Sequence, residues 1–341
     1  MSRTYDVAVV GATGAVGRVM ISILLQRNFP ARTIHALAST ASAGKSIEVD
    51  GRRFEIGALD DFDFRFAQIA LFSAGAAVSK IHAPRAAQQG AVVIDNTSQF
   101  RYDDDVPLVV PEINAHAIAR CQARGIIANP NCSTIQMLLA LHPIHQRVMV
   151  KHVHVATYQA VSGSGASAIE ELRTQSEAIL KGKTPQARVY PQPIGFNVLP
   201  QIDVFMDNGY TKEEMKMVWE TRKILEQQDI GVDPTAVRVP VFYGHSEALH
   251  IETIDKCTAE QARNWLRQAP GIELVDQPQD GIYPTAVTHA AGQDAVYVGR
   301  VRESISHPHG LNMWVVADNL RKGAALNSVQ IAEKLIQSGT I

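Results

Sequence analysis

The sequence predicts an α/β protein in which a doubly wound parallel sheet is followed by a second domain with a mixed sheet. Three observations carry this prediction. Short apolar strand segments alternate with helical segments up to about residue 130, glycines separate the first strand from the first helix, and longer β-rich segments follow. A chain of 341 residues also exceeds the length at which a single core usually splits into domains.

The first part of the chain alternates between strands and helices. The Val-rich "YDVAVVG" predicts a buried parallel strand, and "AVGRVMISILLQR" has apolar residues at helical spacing. Further strands are predicted in "TIHALAS", "IALFSA" and "AVVIDNTS", and "LVVPEIN" and "GIIANPN" follow the same pattern. The segment "IHAPRAAQQG" predicts a helix that ends at Gly90 and has Pro84 in its first turn.

The second part of the chain has longer elements. Strands are predicted in "KHVHVATYQAV", "AVRVPVFYGHSEALHIET", "AVYVGRVRES" and "LNMWVVAD". Helices are predicted in "GASAIEELRTQSEAILKG", "KEEMKMVWETRKILEQ" and "CTAEQARNWLRQAP", and the tail "NSVQIAEKLIQSGT" predicts an amphipathic helix. Because no Gly/Ser/Pro-rich linker separates the two parts, we expect the domains to pack tightly.

The composition limits the classes of function. Hydrophobic residues make up 46% and charged residues 19%, and the net charge of -2 gives no basic surface for nucleic acid. The chain shows no signal-peptide pattern and no apolar run long enough to span a bilayer, so we expect a cytoplasmic protein without membrane contact. Cys121, Cys132 and Cys257 match no zinc spacing and cannot all pair, which indicates a reducing compartment and no metal site.

A glycine-rich segment, "VAVVGATGAVGRVM", connects the first strand to the first helix. Glycines allow a tight turn there and let a pyrophosphate approach the N–H groups of the helix start. A purely structural turn is the alternative, but the position after the first strand favours a dinucleotide. We predict a cofactor site from residues of this loop and a serine that ends a later strand: Gly11, Thr13, Gly14, Ala15, Val16, Gly17 and Ser73.

The end of the second strand bears on which dinucleotide is bound. An NAD site usually has Asp or Glu at this place to hold the ribose 2′-hydroxyl. The segment "HALASTASAGKS" has no acid and instead offers Ser39, Thr40, Ser42 and Lys45, which suit a 2′-phosphate. The sequence therefore favours NADP.

Cys132 lies in "ANPNCSTIQM", directly before a predicted helix. A helix N-terminus lowers the pKa of a cysteine thiol because its N–H groups and dipole favour the thiolate, and the same N–H groups are expected to stabilise an oxyanion. An ordinary buried cysteine near a turn is the alternative. The neighbouring Asn131 either caps the helix or presents its amide to an oxyanion, and the sequence leaves both roles open.

Four polar residues distant in sequence are candidate partners of this cysteine. His245 follows Gly244 at a strand break and is a candidate proton carrier for acyl–thioester chemistry, while Arg238 suits a carboxylate. Gln159 ends a strand before a glycine turn, and Arg101 follows a strand end.

Seven ordered segments, "GATGAVG", "IDNTSQFR", "VVPEIN", "ANPNCST", "TYQAVSGSG", "RVPVFYGHSE" and "ADNLRKGAALNSVQIAE", resemble bacterial aspartate-β-semialdehyde dehydrogenases almost from end to end. The resemblance implies a Rossmann-type cofactor domain (residues 1–128 with 319–341). It also implies an α+β catalytic and dimerisation domain (129–318) of the glyceraldehyde-3-phosphate dehydrogenase-like type. The implied enzyme is a homodimer that reduces L-aspartyl-4-phosphate to L-aspartate 4-semialdehyde with NADPH, in the biosynthesis of lysine, diaminopimelate, methionine, threonine and isoleucine.

The resemblance also implies roles for individual residues. Cys132 is the expected nucleophile, His245 the acid/base, and Gln159 the side chain that orients the substrate or acyl intermediate. The expected substrate-binding side chains are all polar or charged: Arg101 and Lys216 for phosphate, Arg238 for the α-carboxylate, and Glu213 and Asn131. Further cofactor contacts are expected from Ser162, Gly163 and Asn319.

One position departs from the family pattern. Ala41 in "LASTASAGK" stands where family members often carry an arginine for the 2′-phosphate, so use of NAD beside NADP stays open. Two alternatives to this interpretation are an N-acetyl-γ-glutamyl-phosphate reductase-like enzyme and a non-catalytic dinucleotide-binding paralogue. The segments around Gln159 and His245 favour the aspartyl enzyme, and the complete set of catalytic side chains speaks against the paralogue.

Overall fold

The computed structural model describes residues 3–341, which form two compact units. The first unit extends to Pro130 and is completed by Ala324–Ile341, and the second is Asn131–Gly323. Both units combine helices with a sheet, so the α/β fold class is confirmed. No helix within residues 3–341 has the length and apolarity that crossing a membrane requires.

The sheet of the first unit has seven strands: β1 (Tyr5–Val10), β2 (Ala31–Ala38), β3 (Ser46–Val49), β4 (Arg52–Ala58), β5 (Ile69–Phe72), β6 (Val92–Asp95) and β7 (Ile126–Ala128). Their order is β3-β4-β2-β1-β5-β6-β7, and all neighbours are parallel except β3 and β4. The chain therefore changes direction across the sheet at β1, and doubly wound sheets bind ligands at such a point.

The helices of the first unit are α1 (Ala15–Gln26), α2 (Ala76–Gln88), α3 (Pro111–Asn114) and α8 (Leu326–Gln337). Helix α8 comes from the far end of the chain but belongs to the same core as β1 and α1. Its Val329, Ile331 and Leu335 are buried in one cluster with Val9 and Met20. Burial of this apolar face is what attaches the C-terminal segment to the first unit.

Two details of the first unit differ from the sequence prediction. Pro84 does not lie in the first turn of α2, because the helix begins eight residues earlier, at Ala76. Gly75 has a φ of 92°, which only glycine adopts readily, and this conformation turns the chain from β5 directly into the helix. The segment "LVVPEIN" is not a regular strand: Leu108 forms an isolated bridge to Ala128, and Pro111–Asn114 is a short helix.

The second unit contains a mixed sheet, as the sequence predicts, and this sheet has six strands. Its strands are β8 (Val150–Gln159), β9 (Gly231–Arg238), β10 (His245–Thr253), β11 (Ile272–Leu274), β12 (Val296–Glu303) and β13 (Gly310–Ala317), in the order β11-β12-β13-β10-β8-β9. The pairs β8–β9 and β11–β12 are parallel, and the others are antiparallel. The helices are α4 (Cys132–Val148), α5 (Ala166–Leu180), α6 (Lys212–Ile224) and α7 (Ala259–Gln268), and α4 packs on the central strands.

Candidate active site

The glycine loop of the first unit is held tightly between neighbouring strand ends. The N–H of Gly11 donates to the carbonyl of Leu37 at the end of β2 over 2.9 Å. A Cβ on Gly11, whose φ is 87°, would lie 2.6 Å from the carbonyl oxygen of Ser73 after β5, and a Cβ on Gly17 would lie 2.2 Å from the carbonyl oxygen of Gly11. Only glycine fits both positions, so the loop is shaped by close backbone approach.

The start of α1 presents backbone N–H groups without a side-chain cap. Gly14 is the N-cap residue and makes no side-chain hydrogen bond, and the first turn has no acidic residue. Thr13 and Gly14 are exposed, and Ala15 and Val16 are half-buried. An uncapped helix start with exposed glycine is suited to a phosphate, so this loop fits the pyrophosphate of a dinucleotide.

The predicted 2′-phosphate residues lie after the carboxyl end of β2. Ser39 and Thr40 are exposed where a short 3-10 turn begins, Ser42 is half-buried, and Lys45 is exposed beyond it. The hydroxyl of Thr40 donates to the carboxylate of Asp60 over 3.2 Å, so it is already used within the protein. Ser39, Ser42 and Lys45 remain the better candidates for a phosphate.

Arg101 is the predicted phosphate ligand that belongs to the first unit. It is buried in the loop after β6, and its Nη2 donates to the carbonyl of Asn96 over 3.0 Å. This bond to the strand end fixes the position of the guanidinium group.

Cys132 is the first residue of α4, and Asn131 is the N-cap. The Oδ1 atom of Asn131 accepts from the N–H groups of Ser133 and Thr134 over 2.9 and 3.3 Å. Asn131 therefore caps the helix, and these two N–H groups are engaged by the cap rather than presented to an oxyanion. Gly323 lies against the cysteine, since a Cβ there would be 2.7 Å from the Cβ of Cys132.

A chain of polar contacts extends from the buried Asn131 through the buried Glu213 to the half-buried Lys216 and the exposed Asp203. Nδ2 of Asn131 donates to Oε1 of Glu213 over 2.9 Å, and Nζ of Lys216 binds Oε2 of Glu213 at 2.9 Å and Oδ2 of Asp203 at 2.8 Å. Burial alone would raise the pKa of Glu213, but Lys216, Asn131 and Arg238 outweigh burial and lower the pKa to about 2. Glu213 is thus a fixed anion beside the start of α4.

Gln159 links the end of β8 to the same place. Its Nε2 donates to the hydroxyl of Ser133 over 2.8 Å and lies 3.4 Å from Oε1 of Glu213. The side chain is buried and directed at the residue next to Cys132. The predicted orienting role therefore rests on a side chain that is itself held in place.

His245 and Arg238 both contact the backbone of Ala160. The N–H of Ala160 donates to Nδ1 of His245 over 3.0 Å, and Nη1 of Arg238 donates to the Ala160 carbonyl over 2.7 Å. A Cβ on Gly163 would lie 3.4 Å from Nε2 of His245 and 3.1 Å from Nη1 of Arg238. The absence of a side chain at Gly163 therefore leaves space beside both groups, and Arg238 also packs over the ring of Tyr190.

The imidazole of His245 is neutral near physiological pH. Burial lowers its pKa, the Arg238 guanidinium lowers it further, and Glu213 opposes them only in part, so that the pKa is about 3. The ring has no exposed surface.

Asn319 holds the turn that precedes His245. Its Oδ1 accepts from the N–H of Gly244 over 3.0 Å, and its Nδ2 donates to the hydroxyl of Ser162 over 3.0 Å. Ser162 and Asn319, which are both predicted cofactor residues, are buried. The hydrogen bonds of Asn319 connect the glycine turn at Ser162 to the start of β10.

The structure thus places the predicted residues of the second unit around the start of α4, the ends of β8 and β9 and the start of β10, joined by hydrogen bonds, close approaches and neighbouring positions in the chain: Asn131, Cys132, Gln159, Ser162, Gly163, Glu213, Lys216, Arg238, His245 and Asn319. The other predicted residues belong to the first unit, at the strand ends and glycine loop described above.

Several groups in this cluster have no counterpart in the sequence interpretation. Ala160 acts through its backbone N–H and carbonyl, and Gly323 through its lack of a side chain. Neither contribution can be recognised from the type of residue. Glu220 accepts the N–H of Asn131 over 2.6 Å, and its spacing of seven residues from Glu213 on α6 would have indicated a shared helix face. Asp203, the partner of Lys216, lies in a loop with no recognisable pattern.

Two protein-family descriptions match the chain, one within each unit. Residues 6–121 match the family described as semialdehyde dehydrogenase, NAD binding domain, and residues 141–322 match the semialdehyde dehydrogenase dimerisation domain. A dinucleotide-type loop in the first unit and a cysteine at a helix start in the second unit fit this description. The fold and site therefore define a semialdehyde dehydrogenase.

Relatives along the whole chain narrow this class. Aspartate-semialdehyde dehydrogenase of Shewanella violacea is 61% identical over 99% of both chains, and that of Bacillus subtilis is 48% identical over 98% of both chains. The crystal structure of aspartate semialdehyde dehydrogenase II complexed with ASA from Vibrio cholerae has a TM-score of 0.96, 54% identity and coverage of 98% of this chain and 99% of that chain. The chain belongs to the aspartate-semialdehyde dehydrogenase family and is an oxidoreductase of amino-acid biosynthesis.

Proposed function

We propose that this enzyme carries out the NADPH-dependent reductive dephosphorylation of L-aspartyl-4-phosphate to L-aspartate 4-semialdehyde through a thioester on Cys132. The observation that carries the proposal is the position of Cys132 as first residue of α4. It lies between Asn131, which binds Glu213, and Ser133, which accepts a hydrogen bond from Gln159. The ASA complex of the Vibrio cholerae relative supports the choice of aldehyde.

Cys132 is the nucleophile in this scheme. The N-terminus of α4 favours negative charge on its sulfur, which attacks the acyl carbon of the substrate. The carbon–oxygen bond to phosphate then breaks, and phosphate leaves with a proton from solvent. His245 is proposed to be the acid/base that exchanges a proton with the oxygen of the reacting carbonyl.

Charged side chains position the two ends of the substrate. Arg238 is fixed at the Ala160 carbonyl and is proposed to bind the α-carboxylate, with Glu213 facing the α-amino group. Lys216, and Arg101 of the first unit, are proposed for the phosphate. Asn131 acts indirectly, because it holds both the helix start and Glu213.

The cofactor is proposed to be NADP(H), which supplies the hydride when it is bound. Gly11, Gly14 and Gly17 fit the pyrophosphate, and the absence of an acid at the end of β2, together with Ser39, Ser42 and Lys45, supports a 2′-phosphate. The missing arginine at Ala41 and the bond from Thr40 to Asp60 weaken this preference, so we expect measurable use of NAD as well.

The match to a dimerisation domain supports the proposal of a homodimer. We further propose that the enzyme acts in the cytoplasm, in the branch of metabolism that leads to lysine, diaminopimelate, methionine, threonine and isoleucine.

The test is the phosphate-dependent oxidation of L-aspartate 4-semialdehyde, assayed with NADP and NAD in parallel and with N-acetyl-glutamate semialdehyde as the competing aldehyde. Cys132→Ser should lower kcat by roughly a thousandfold or more, whereas Cys257→Ser, which changes a buried cysteine of the same unit, should retain activity. Near-normal turnover by Cys132→Ser, or preference for the longer aldehyde, would refute the scheme.

A further inference from the structure

We propose that Glu247 is a neutral carboxylic acid in the folded enzyme and pairs with the side-chain amide of Gln136 through two reciprocal hydrogen bonds. This pair is a positioning contact, because it fastens helix α4, which carries Cys132, to strand β10. The protonation state of Glu247 is independent of the reaction, whereas the effect on catalysis rests on the proposed nucleophilic role of Cys132.

Glu247 and Gln136 meet where α4 packs on the sheet of the second unit. Glu247 is the third residue of β10, and it lies opposite Thr157 of β8 and Val315 of β13, which are buried and not ionisable. Nε2 of Gln136 donates to the carbonyl of His245 over 3.4 Å, so this face of α4 lies over the start of β10. The Gln136 side chain also lies close enough to affect the pKa of Glu247.

Three polar atoms of these two side chains have no hydrogen-bond partner within residues 3–341: both carboxyl oxygens of Glu247 and Oε1 of Gln136. Both side chains are buried, and buried polar atoms without partners are costly. A carboxylic acid gives all three atoms a partner at once, because its hydroxyl donates to the amide oxygen while its carbonyl oxygen accepts from the amide nitrogen. The second hydrogen of that nitrogen remains for the carbonyl of His245.

An ionised Glu247 does not fit these surroundings. A carboxylate has no hydrogen to donate, so one of its oxygens and Oε1 of Gln136 would both be acceptors without a donor. Burial raises the pKa of Glu247 well above its ordinary value of 4.5, and the Gln136 amide opposes burial only in part. His245, two residues earlier on the same strand, is neutral near physiological pH. Glu213 of α6 and Arg238 of β9 shift the pKa of His245 but not that of Glu247.

The pair bears on catalysis through the position of α4. Gln136 follows Cys132 by four residues, so both side chains lie on one face of the helix, one turn apart. The apolar contacts of α4 are not directional, whereas two reciprocal hydrogen bonds favour one rotation of the helix on the sheet. Glu247 is therefore a positioning residue, which acts on Cys132 through Gln136 and not through contact with the substrate.

Infrared spectroscopy of the full-length enzyme tests the protonation state directly. The spectrum of the parent minus that of Glu247→Gln should contain the carbonyl stretch of a protonated carboxylic acid, shifted in D₂O, from about pH 5 to about pH 8. Carboxylate bands in place of this stretch would overturn the inference. This readout does not depend on turnover, so it stands apart from a failure of the thioester mechanism in Cys132→Ser.

The pH dependence of stability is a second readout. Because the folded-state pKa of Glu247 lies above 4.5, its contribution to stability is complete below pH 4.5 and is lost as the pH rises towards the folded-state pKa. The amide in Glu247→Gln does not titrate, so the unfolding constant of the parent relative to this variant should rise roughly tenfold per pH unit in that interval. Thermal unfolding at a series of pH values measures this trend. A difference that stays constant or shrinks as the pH rises, or failure of this isosteric variant to fold, would contradict a neutral Glu247.

A matched pair of variants tests the positioning role. Glu247→Gln keeps both hydrogen bonds as an amide–amide pair, whereas Glu247→Met has similar length but cannot pair with Gln136. Since a small displacement of a reacting group is costly, kcat and the rate of Cys132 alkylation should stay within roughly threefold of the parent in Glu247→Gln and fall roughly tenfold or more in Glu247→Met. Adding Gln136→Met to Glu247→Met should cause little further loss. Equal kcat in the two single variants, or additive losses in the double variant, would overturn the positioning role.

Discussion

The starts of α1 and α4 are alike in fold but opposite in chemistry. Each helix begins within a few residues of a buried parallel strand. Helix α1 begins after Gly14, which offers no side-chain cap, whereas α4 begins after Asn131, which occupies two of its N–H groups. The first leaves its N–H groups available for an anion that diffuses in, whereas the second, in the proposed mechanism, favours through its dipole the thiolate of Cys132 in its own chain.

The difference shows that capping decides what a helix start can do. A helix start without a side-chain cap binds a ligand through its N–H groups, so its residues must be small and its backbone must pack closely. A capped start gives up the donors that its cap occupies but gains a fixed first residue.

The largest effect should come from adding a methyl group to the glycine loop at the uncapped start of α1. In Gly17→Ala the added Cβ would lie 2.2 Å from the Gly11 carbonyl oxygen, so the loop must shift. We expect a loss of about 3 kcal/mol in the free energy of unfolding and a roughly hundredfold rise in KM for NADPH. Steady-state kinetics and chemical denaturation measure both. Gly14→Ala, whose Cβ would be 3.3 Å from the same oxygen, is the milder control.

The next effect should come from adding charge to the capped start. Asn131→Asp keeps an acceptor for the N–H groups of Ser133 and Thr134 but replaces the donor to Glu213 with a second carboxylate. We expect kcat/KM at neutral pH to fall roughly tenfold to hundredfold, because the new charge opposes the Cys132 thiolate. The pH dependence of Cys132 alkylation should shift to higher pH.

The same variant has a predicted effect on acid stability. The folded-state pKa of Glu213, about 2, lies below its ordinary value of 4.5, so Glu213 stabilises the fold above pH 4.5 and this contribution is lost as the pH falls towards 2. Loss of the Asn131 donor raises the folded-state pKa, so acid unfolding of Asn131→Asp should begin at a higher pH. Asn131→Ala removes the cap without adding charge, and equal kcat/KM in both variants would contradict the electrostatic explanation.

A smaller effect is expected when the bare start is given a cap. Gly14 has φ -76° and ψ 166°, a conformation open to Asp, whose carboxylate would accept the N–H groups of α1. Gly14→Asp should keep the free energy of unfolding within about 1 kcal/mol of the parent while KM for NADPH rises roughly tenfold, since the carboxylate takes the place of phosphate. Unchanged KM would show that the cofactor does not use this helix start.

The smallest effect should come from removing a helix cap that lies outside the candidate active site. Thr258 and Gln261 form a capping box at α7, as Thr211 and Glu214 do at α6. Thr258→Ala should cost about 1 kcal/mol in unfolding free energy and leave kcat unchanged. Thr211→Ala should cost a similar amount but also lower kcat, because α6 carries Glu213 and Lys216.

Sequence and structure agree best where the physics is local. The strand, glycine turn and helix around Gly11–Gly17 are predictable because each residue acts on its immediate neighbours. Pro84 shows the limit of local preference: proline favours a first turn, but the φ of Gly75 starts α2 earlier. The sequence indicates Cys132, His245 and Arg238 as candidates, and the resemblance of whole segments implies their roles. Ala160 and Gly323 have no signal in the sequence, because they contribute a peptide group and the lack of a side chain.

The division of the first unit between two segments has a consequence for synthesis on the ribosome. The seven strands are complete by Ala128, yet their core includes Val329, Ile331 and Leu335 of α8. Residues 131–323 are translated in between, which at typical elongation rates takes about 10–40 s. During that interval the nascent sheet exposes the apolar surface that α8 later covers, so the intervening unit has time to fold first and the nascent chain presents a chaperone-binding surface until its last helix emerges.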